Sequence, residues 1–183
     1  MSRLSEIIVK FVNKKEDKKR ELGRYYASEI YSIIKGNLTP ENFFQEKPLV
    51  DEFGAKCISS GIAVEEYLHK VFEEMKVDCV YQPKKEIQIR EDIVLVVKPD
   101  FQFPDFLVEL KYPYKLHEDI PVKWQYQLEC EYRGWYLPVY LWQVYHPFSI
   151  KQITYTPSKF RWGKIVKTLI RFHEELKRSI QNN

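Results

Sequence analysis

Three side chains near the middle of the chain, Asp100, Glu109 and Lys111, could together perform metal and acid–base chemistry. They lie in two runs of β-branched and aromatic residues, which flank the turn-forming pair Pro104-Asp105 and predict two antiparallel strands. Centring the turn on that pair places Asp100 opposite Glu109, with Cβ atoms roughly 4.5–5.5 Å apart. Two carboxylates at that spacing beside an ammonium predict a site for a hard divalent cation and a scissile phosphate.

Strand alternation gives this predicted hairpin one apolar and one polar face. The apolar face holds Ile93, Leu95, Val97, Phe101 and Phe103 on one strand and Phe106, Val108, Leu110 and Tyr112 on the next. The polar face presents Lys98, Asp100, Gln102, Glu109 and Lys111. The same register sets Lys98 opposite Lys111, a like-charge pair that costs stability on an ordinary surface. Such a pair beside two acids is typical of a functional site.

The prediction depends on the hairpin register. Proline cannot supply the positive φ of a primed two-residue turn, whereas a four-residue loop would keep the same register. A slip of one residue would turn Asp100 to the face opposite Glu109. A half-exposed hairpin whose outer side is simply polar is the alternative interpretation.

These residues also carry a family resemblance. Pro99-Asp100 followed by Glu109-Leu110-Lys111 resembles the signature of the PD-(D/E)XK nucleases. The resemblance implies hydrolysis of phosphodiester bonds in DNA, with Mg²⁺ or Mn²⁺ held by Asp100, Glu109 and the main-chain carbonyl of Leu110. Two nearby acids should keep Lys111 protonated, so it would orient the water or stabilise developing charge rather than act as a base.

A helix predicted over residues 60–75 supplies another carboxylate. Its apolar stripe recurs at helical spacing and comprises Val64, Tyr67, Leu68, Val71, Phe72 and Met75. Glu65 falls on the margin of this stripe, whereas Glu66 falls on the solvated side. Gly61 and Glu65 resemble the Gly-x-x-x-Glu of archaeal Holliday-junction resolvases, in which the acid helps to hold the metal or its water. An edge glutamate paired with His69 is the alternative.

A second helix is predicted from Val122 to Trp135, with Trp124, Leu128, Tyr132 and Trp135 on its buried side. Gln125 and Gln127 flank that side. RecB-like nucleases carry a glutamine soon after the Glu-x-Lys, commonly as Gln-hydrophobic-x-x-Tyr. Gln127 fits the start of this motif and is implied as the active-site glutamine, but Glu131 stands at the tyrosine position. That departure leaves Gln125 as an alternative.

The predicted elements follow the order α-β-β-β-α-β, and the strands cover residues 86–90, 93–103, 106–112 and 139–145. The family resemblance implies an α/β fold with a restriction-endonuclease-like core and a central mixed sheet. Residues 3–35 are predicted to be helical, and a strand at 153–155 and a helix over 162–180 complete the chain. We expect one domain, 1–183, with a helical N-terminal extension (1–56), a nuclease core (57–146) and a C-terminal strand and helix (147–183).

Composition limits the function classes. Cys57, Cys79 and Cys130 lie far apart without a Cys-x-x-Cys, which argues against a zinc site, an iron–sulfur site and a disulfide framework. The formal charge of +3 permits a nucleic-acid partner without demanding one. The mixed-charge run at 14–21 is expected to be a solvated helix face or turn. No secretory signal or membrane span is evident in the sequence, so we expect a cytoplasmic protein without membrane contact.

The predicted function is that of a metal-dependent DNA nuclease, and the extra N-terminal helices favour a RecB-like exonuclease without iron–sulfur cysteines. A structure-specific Holliday-junction endonuclease is the first alternative. Those resolvases are usually smaller and dimeric, so a homodimer remains open. A catalytically silent nucleic-acid-binding module on the same fold is the second alternative. A carboxylate-pair glycosidase is the third, although it would need neither Lys111 nor Glu65.

Overall fold

The computed structural model describes residues 3–14, 20–45, 49–145 and 149–182. Residues 15–19 of the mixed-charge run lie outside the described residues. The helices are α1 (Arg3–Lys14), α2 (Ile30–Lys35), α3 (Glu52–Glu74), α4 (Val122–Trp135) and α5 (Lys159–Gln181). The strands are β1 (Arg24–Tyr26), β2 (Val80–Tyr81), β3 (Lys85–Arg90), β4 (Ile93–Val97), β5 (Phe101–Gln102), β6 (Leu107–Lys111), β7 (Val139–Tyr145) and β8 (Ser149–Thr154). The protein therefore has a mixed α/β fold.

The described strands form two sheets rather than one central sheet. The first has the order β1-β4-β3, with β1 parallel and β3 antiparallel to β4. The second has the order β2-β5-β6-β7-β8, and in it only β6 and β7 are parallel to each other. Parallel neighbours need a crossover connection, and α4 supplies it between β6 and β7. The bounds of α4 and β7 agree with the prediction from sequence.

The long strand predicted over 93–103 is broken at Lys98-Pro99-Asp100. Pro99 has no N–H to donate to a ladder, and the chain changes neighbours at this point. Before the break β4 pairs with β1 and β3, whereas after it β5 pairs with β2 and β6. The apolar residues of β4 accordingly join the core formed with α2, α4 and α5, and Phe101 joins a different cluster against α3.

The hairpin register itself is the predicted one. Phe101 is opposite Val108 and Gln102 is opposite Leu107. The turn is the four-residue loop, because β5 ends at Gln102 and β6 begins at Leu107. Within the loop, the N–H of Phe103 donates to the carbonyl of Phe106 at 2.9 Å. The pairing extends only to Phe101, so the predicted pair of Lys98 and Lys111 is not formed. Lys111 is instead opposite Gln143 on β7.

Both faces of β6 are buried, which corrects the prediction of an exposed polar face. Helix α3 covers one face through Val64, Leu68 and Phe72, which pack against Val108 and Leu110. Helix α4 covers the other, where Leu107 packs with Leu128. The side of Glu109 therefore faces a helix, and Glu109 is only 2% exposed.

The region predicted to be helical over 3–35 contains the strand β1. Gly23 precedes it with a φ of 83°, a left-handed conformation that glycine adopts without strain and that breaks a helix. The carbonyl of Gly23 accepts the N–H of Val94 at 2.7 Å, and β1 then runs parallel to β4. The predicted N-terminal extension thus contributes a strand to the sheet.

Helix α3 begins well before the predicted start at residue 60. Asp51 caps it, because its side chain accepts the N–H of Gly54 at 2.7 Å. The helix continues through Gly61, since a glycine inside a helix costs only about 1 kcal/mol. It therefore crosses the expected boundary between residues 56 and 57. Tyr67 and Met75 of the predicted stripe are exposed.

Helix α5 begins three residues before the predicted start at residue 162, with Ser158 as its cap. Ile165, Leu169 and Leu176 of its predicted apolar side are buried. In the parts of the chain that the structure describes, no helix combines the length and apolarity needed to cross a membrane.

Candidate active site

The strand break places Asp100 directly beside β6. Its main-chain N–H donates to the carbonyl of Val108 at 3.1 Å, and its Oδ2 accepts the N–H of Leu110 at 2.6 Å. The second bond holds the carboxyl group against the strand segment that carries Glu109 and Lys111. The geometry therefore brings together the three residues with which the sequence analysis began.

Glu109 has one satisfied carboxylate oxygen and one open one. Its Oε1 accepts from Nζ of Lys111 and from Nε2 of Gln127, the latter at 2.6 Å. Its Oε2 is buried and has no hydrogen-bond partner among the described residues. Buried polar atoms are nearly always paired, so this oxygen is available to a ligand or to a neighbouring donor.

The electrostatics of the site reflect an excess of carboxylates. Burial, followed by the charges of Glu109 and Glu65, raises the pKa of Asp100 well above its usual range. Burial alone would lower the pKa of Lys111, but the neighbouring charges of Glu109 and Asp100 outweigh it and raise that pKa. The raised pKa favours the ammonium form of Lys111, which donates a hydrogen bond to Glu109.

The structure distinguishes the two glutamines of α4. Gln127 donates to Glu109, as described above, and so joins the site. Gln125 donates to the carbonyl of Ile120 at 2.7 Å and accepts from Arg161, which ties it to the start of α5 instead. Gln127 is thus the glutamine that contacts the acidic cluster, whereas Gln125 connects α4 to the preceding loop and to α5 and, among the described residues, makes no hydrogen bond to the cluster.

Glu65 approaches the same cluster from α3. Its Oε1 accepts from Nε2 of Gln82 at 2.5 Å, and its charge contributes to the raised pKa of Asp100. The alternative partner, His69, stacks on Tyr81 with ring centroids 4.0 Å apart and has its ion-pair contact with Glu73 at 3.7 Å. Glu65 therefore faces the site, whereas its neighbour Glu66 is exposed.

Two further side chains of this region were not predicted from the sequence. Glu131, one helical turn after Gln127, is fully buried, and neither of its oxygens has a hydrogen-bond partner among the described residues. Its place at the expected tyrosine of the glutamine motif was a signal that could have pointed to it. Gln82, which contacts Glu65, lies between β2 and β3 with a φ of 49°, and no sequence pattern identifies it.

An open cavity of about 700 Å³ adjoins the site at Gln127. Its other lining residues are Tyr26, Ala27, Ser28, Tyr81, Gln82, Lys84, Val96 and Lys98. The ammonium groups of Lys84 and Lys98 belong to exposed residues. A cavity with two lysines and two tyrosines is suited to a strand of nucleic acid, because cations bind phosphates and aromatic rings stack on bases.

The donor atoms of the cluster fit a hard divalent cation. Carboxylate and carbonyl oxygens are its preferred ligands, and Glu109 offers a buried oxygen without a partner. Within the described ranges, no three carboxylate, imidazole or thiol groups converge closely enough to form a complete metal cage. The remaining ligands of a bound cation would be waters, through which carboxylates farther from the cation can act.

No family model and no curated protein sequence matches the chain. Solved structures do match it. The protein SSO0001 superposes with a TM-score of 0.68 at 14% identity, over 97% of this chain and 88% of the other. An alkaline exonuclease from Laribacter hongkongensis, LHK-Exo, gives 0.66 at 10% identity, over 88% of this chain and 91% of the other.

A phage-related exonuclease from Haemophilus somnus 129PT gives a TM-score of 0.56 at 10% identity, over 92% of this chain and 99% of the other. At these identities the likeness concerns the fold. The predicted α/β fold class is confirmed, with the described strands in two mixed sheets in place of one central sheet, and the chain has the fold that SSO0001 and these two exonucleases share.

Proposed function

We propose that this protein is a metal-dependent DNA nuclease of the RecB-like exonuclease type. The observation that carries the proposal is the buried carboxylate of Glu109, held on one oxygen by Lys111 and Gln127 and open on the other, beside Asp100. The fold shared with two exonucleases supports it. A cation, a phosphate and a water are the three components that such a cluster is suited to hold.

In this proposal Asp100, Glu109 and the carbonyl of Leu110 would hold Mg²⁺ or Mn²⁺, with Glu65 helping directly or through a water. The bound cation would lower the pKa of a water and offset the negative charge of the scissile phosphate. Lys111, as an ammonium group, would donate hydrogen bonds to that water or to the developing charge. Gln127 is a positioning residue that fixes the carboxylate of Glu109.

The exonuclease type is preferred to the Holliday-junction endonuclease because two of the matched structures carry the name exonuclease and align over most of their length. A silent binding module is disfavoured because every position at which the family resemblance implies a catalytic residue is filled with the right residue type. DNA as the substrate, a homodimer and a cytoplasmic location stay predictions.

The experiment that tests the proposal is a cleavage assay on labelled single-stranded, linear duplex, covalently closed circular and four-way-junction DNA. Each substrate is incubated with Mg²⁺, with Mn²⁺ and with EDTA. We expect metal-dependent release of nucleotides from linear DNA and no cleavage of the circle, since an exonuclease needs an end.

Two results would replace the proposal. Cleavage of the four-way junction alone would identify a junction endonuclease. Binding of DNA without cleavage of any substrate would identify a silent binding module.

A further inference from the structure

Two buried glutamates of α4 differ in the hydrogen-bond partners that the fold gives their carboxyl groups. Glu129 is fully buried, and its carboxylate accepts from the hydroxyl of Tyr155 at 2.5 Å, the N–H of Ser158 at 2.8 Å and Nε of Arg133 at 2.9 Å. Glu131 is equally buried, yet neither of its oxygens has a hydrogen-bond partner among the described residues. The protein thus buries one carboxyl group that is fully hydrogen-bonded and another that has no hydrogen bond to the described residues.

The position of Glu131 explains what it faces. Residues four apart lie on the same face of a helix, so Glu131 lies on the side of α4 that carries Gln127. Gln127 contacts Glu109, and the carboxyl groups of Glu131 and Glu109 are within hydrogen-bonding reach of each other. Two ionised carboxylates repel each other at that separation, and neither can donate. A cation between or beside them would remove this repulsion.

We propose that Glu131 is a further carboxylate of the cation site, in addition to Asp100, Glu109 and Glu65. The inference rests on the proposed function. The nearby ammonium group of Lys111 donates to Glu109 and makes no hydrogen bond to Glu131. A divalent cation beside Glu109 would supply the missing positive charge to both carboxylates. The tyrosine position of the glutamine motif would thus serve the metal in this chain.

The test measures Mn²⁺ binding to the full chain by calorimetry without DNA, together with thermal unfolding in EDTA and in Mn²⁺. Glu131→Gln keeps the side-chain shape and removes the charge. We expect it to weaken Mn²⁺ binding by about 10- to 100-fold, the usual effect of losing a residue that supports a metal site. The rise in Tm that Mn²⁺ produces should shrink in parallel.

Glu129→Gln is the matched control, because it removes a carboxylate of equal burial two residues away on the same helix. It should lower the Tm in EDTA, since Tyr155 and Arg133 lose an ionised partner, and it should leave Mn²⁺ affinity unchanged. If Glu131→Gln does not fold, Glu131→Met, which is apolar and of similar size, replaces it. The same two quantities, Mn²⁺ affinity and the rise in Tm with Mn²⁺, are then measured.

The outcomes separate the two proposals. Wild-type affinity in the Glu131 variant would overturn the inference and leave Glu131 as a buried neutral acid that donates to Glu109. No Mn²⁺ or Mg²⁺ binding to the wild-type protein would overturn the metal dependence in the proposed function, and this inference with it.

Discussion

In the proposed function, the chemistry of the site depends on the carboxylate of Glu109. It lies on a strand buried on both faces, so its charge must be balanced by specific partners rather than by water. Lys111 and Gln127 satisfy one oxygen, and the other remains for a ligand. Each partner comes from a fixed secondary-structure element, and such placement holds a reactive geometry more firmly than loops do.

A prediction at the residue scale concerns the two glutamines. Gln127→Ala removes the hydrogen bond that orients Glu109 and should lower the rate of DNA cleavage by about 10- to 100-fold, as loss of an orienting partner usually does. Gln125→Ala is the control, because Gln125 contacts Ile120 and Arg161 outside the site. The cleavage rate of both variants on linear duplex DNA checks the prediction. Equal losses in the two variants would contradict it.

Local sequence patterns predicted some elements well. The stripe of Trp124 and Leu128 defined α4, and the apolar run of 139–145 defined β7, because each pattern is set by burial along one element. The register of the β5–β6 hairpin followed from its turn, so the pairing of Asp100 with the Glu109 strand could be anticipated.

Other features depend on contacts distant in sequence and were missed. The strand β1 exists because β4 offers it a parallel edge, and no local pattern distinguishes it from the helices around it. The break at Lys98-Pro99-Asp100 marks a change of sheet partners. The burial of Glu131 could not be predicted from the sequence either, because a glutamate on a helix is ordinarily exposed to solvent. Residues that break local rules in this way are the ones that sequence patterns describe least well.

The connection between α5 and the β3–β4 turn gives a prediction at the element scale. Asp92 accepts from Arg90 on its own turn and from Lys177 and His173 on α5. Arg90, then Lys177, holds the pKa of Asp92 well below its usual range. A lowered carboxyl pKa stabilises the fold above the unfolded pKa, about 3.9, and that stabilisation is lost as the pH falls below it.

Asp92→Asn should therefore lower the Tm at pH 7, and the difference from the wild-type protein should shrink as the pH falls below about 4. Thermal unfolding at a series of pH values measures this. The exposed acid Asp119 provides the control, since Asp119→Asn should leave the Tm unchanged across the series. A difference for Asp92→Asn that persisted undiminished to low pH would show that its ion pairs are not the cause.

At the scale of the whole molecule, the cavity joins the N-terminal strand region to the acidic cluster. Tyr26 and Ser28 line it from one side, Tyr81 and Lys84 from another, and Gln127 from the site itself. Gln127, which contacts Glu109, and Gln82, which contacts Glu65, both line this cavity, so it lies next to the acidic cluster. The modest overall charge of +3 leaves DNA binding to such local groups rather than to a general basic surface.

Lys98→Ala should weaken DNA binding about equally for all sequences and reduce the slope of log affinity against log salt by about 1, because one phosphate contact is lost. The measurement is a titration of labelled DNA at several salt concentrations in EDTA. Lys167, exposed on α5 and not among the residues lining the cavity, gives the matched control Lys167→Ala, for which the slope should stay at the wild-type value. The reverse pattern would place the DNA on α5.

The most direct test of the account is the rate at which nucleotides are released from linear duplex DNA in Mg²⁺ by Lys111→Met and Glu109→Gln. Circular dichroism confirms that each variant is folded, and Lys115→Met, a change to an exposed loop lysine, serves as the control. The account predicts that both site variants lose about 10²- to 10³-fold in rate, as expected when one group that stabilises the transition state is removed, while the control keeps the wild-type rate. Folded site variants that cleave DNA at the wild-type rate would contradict it.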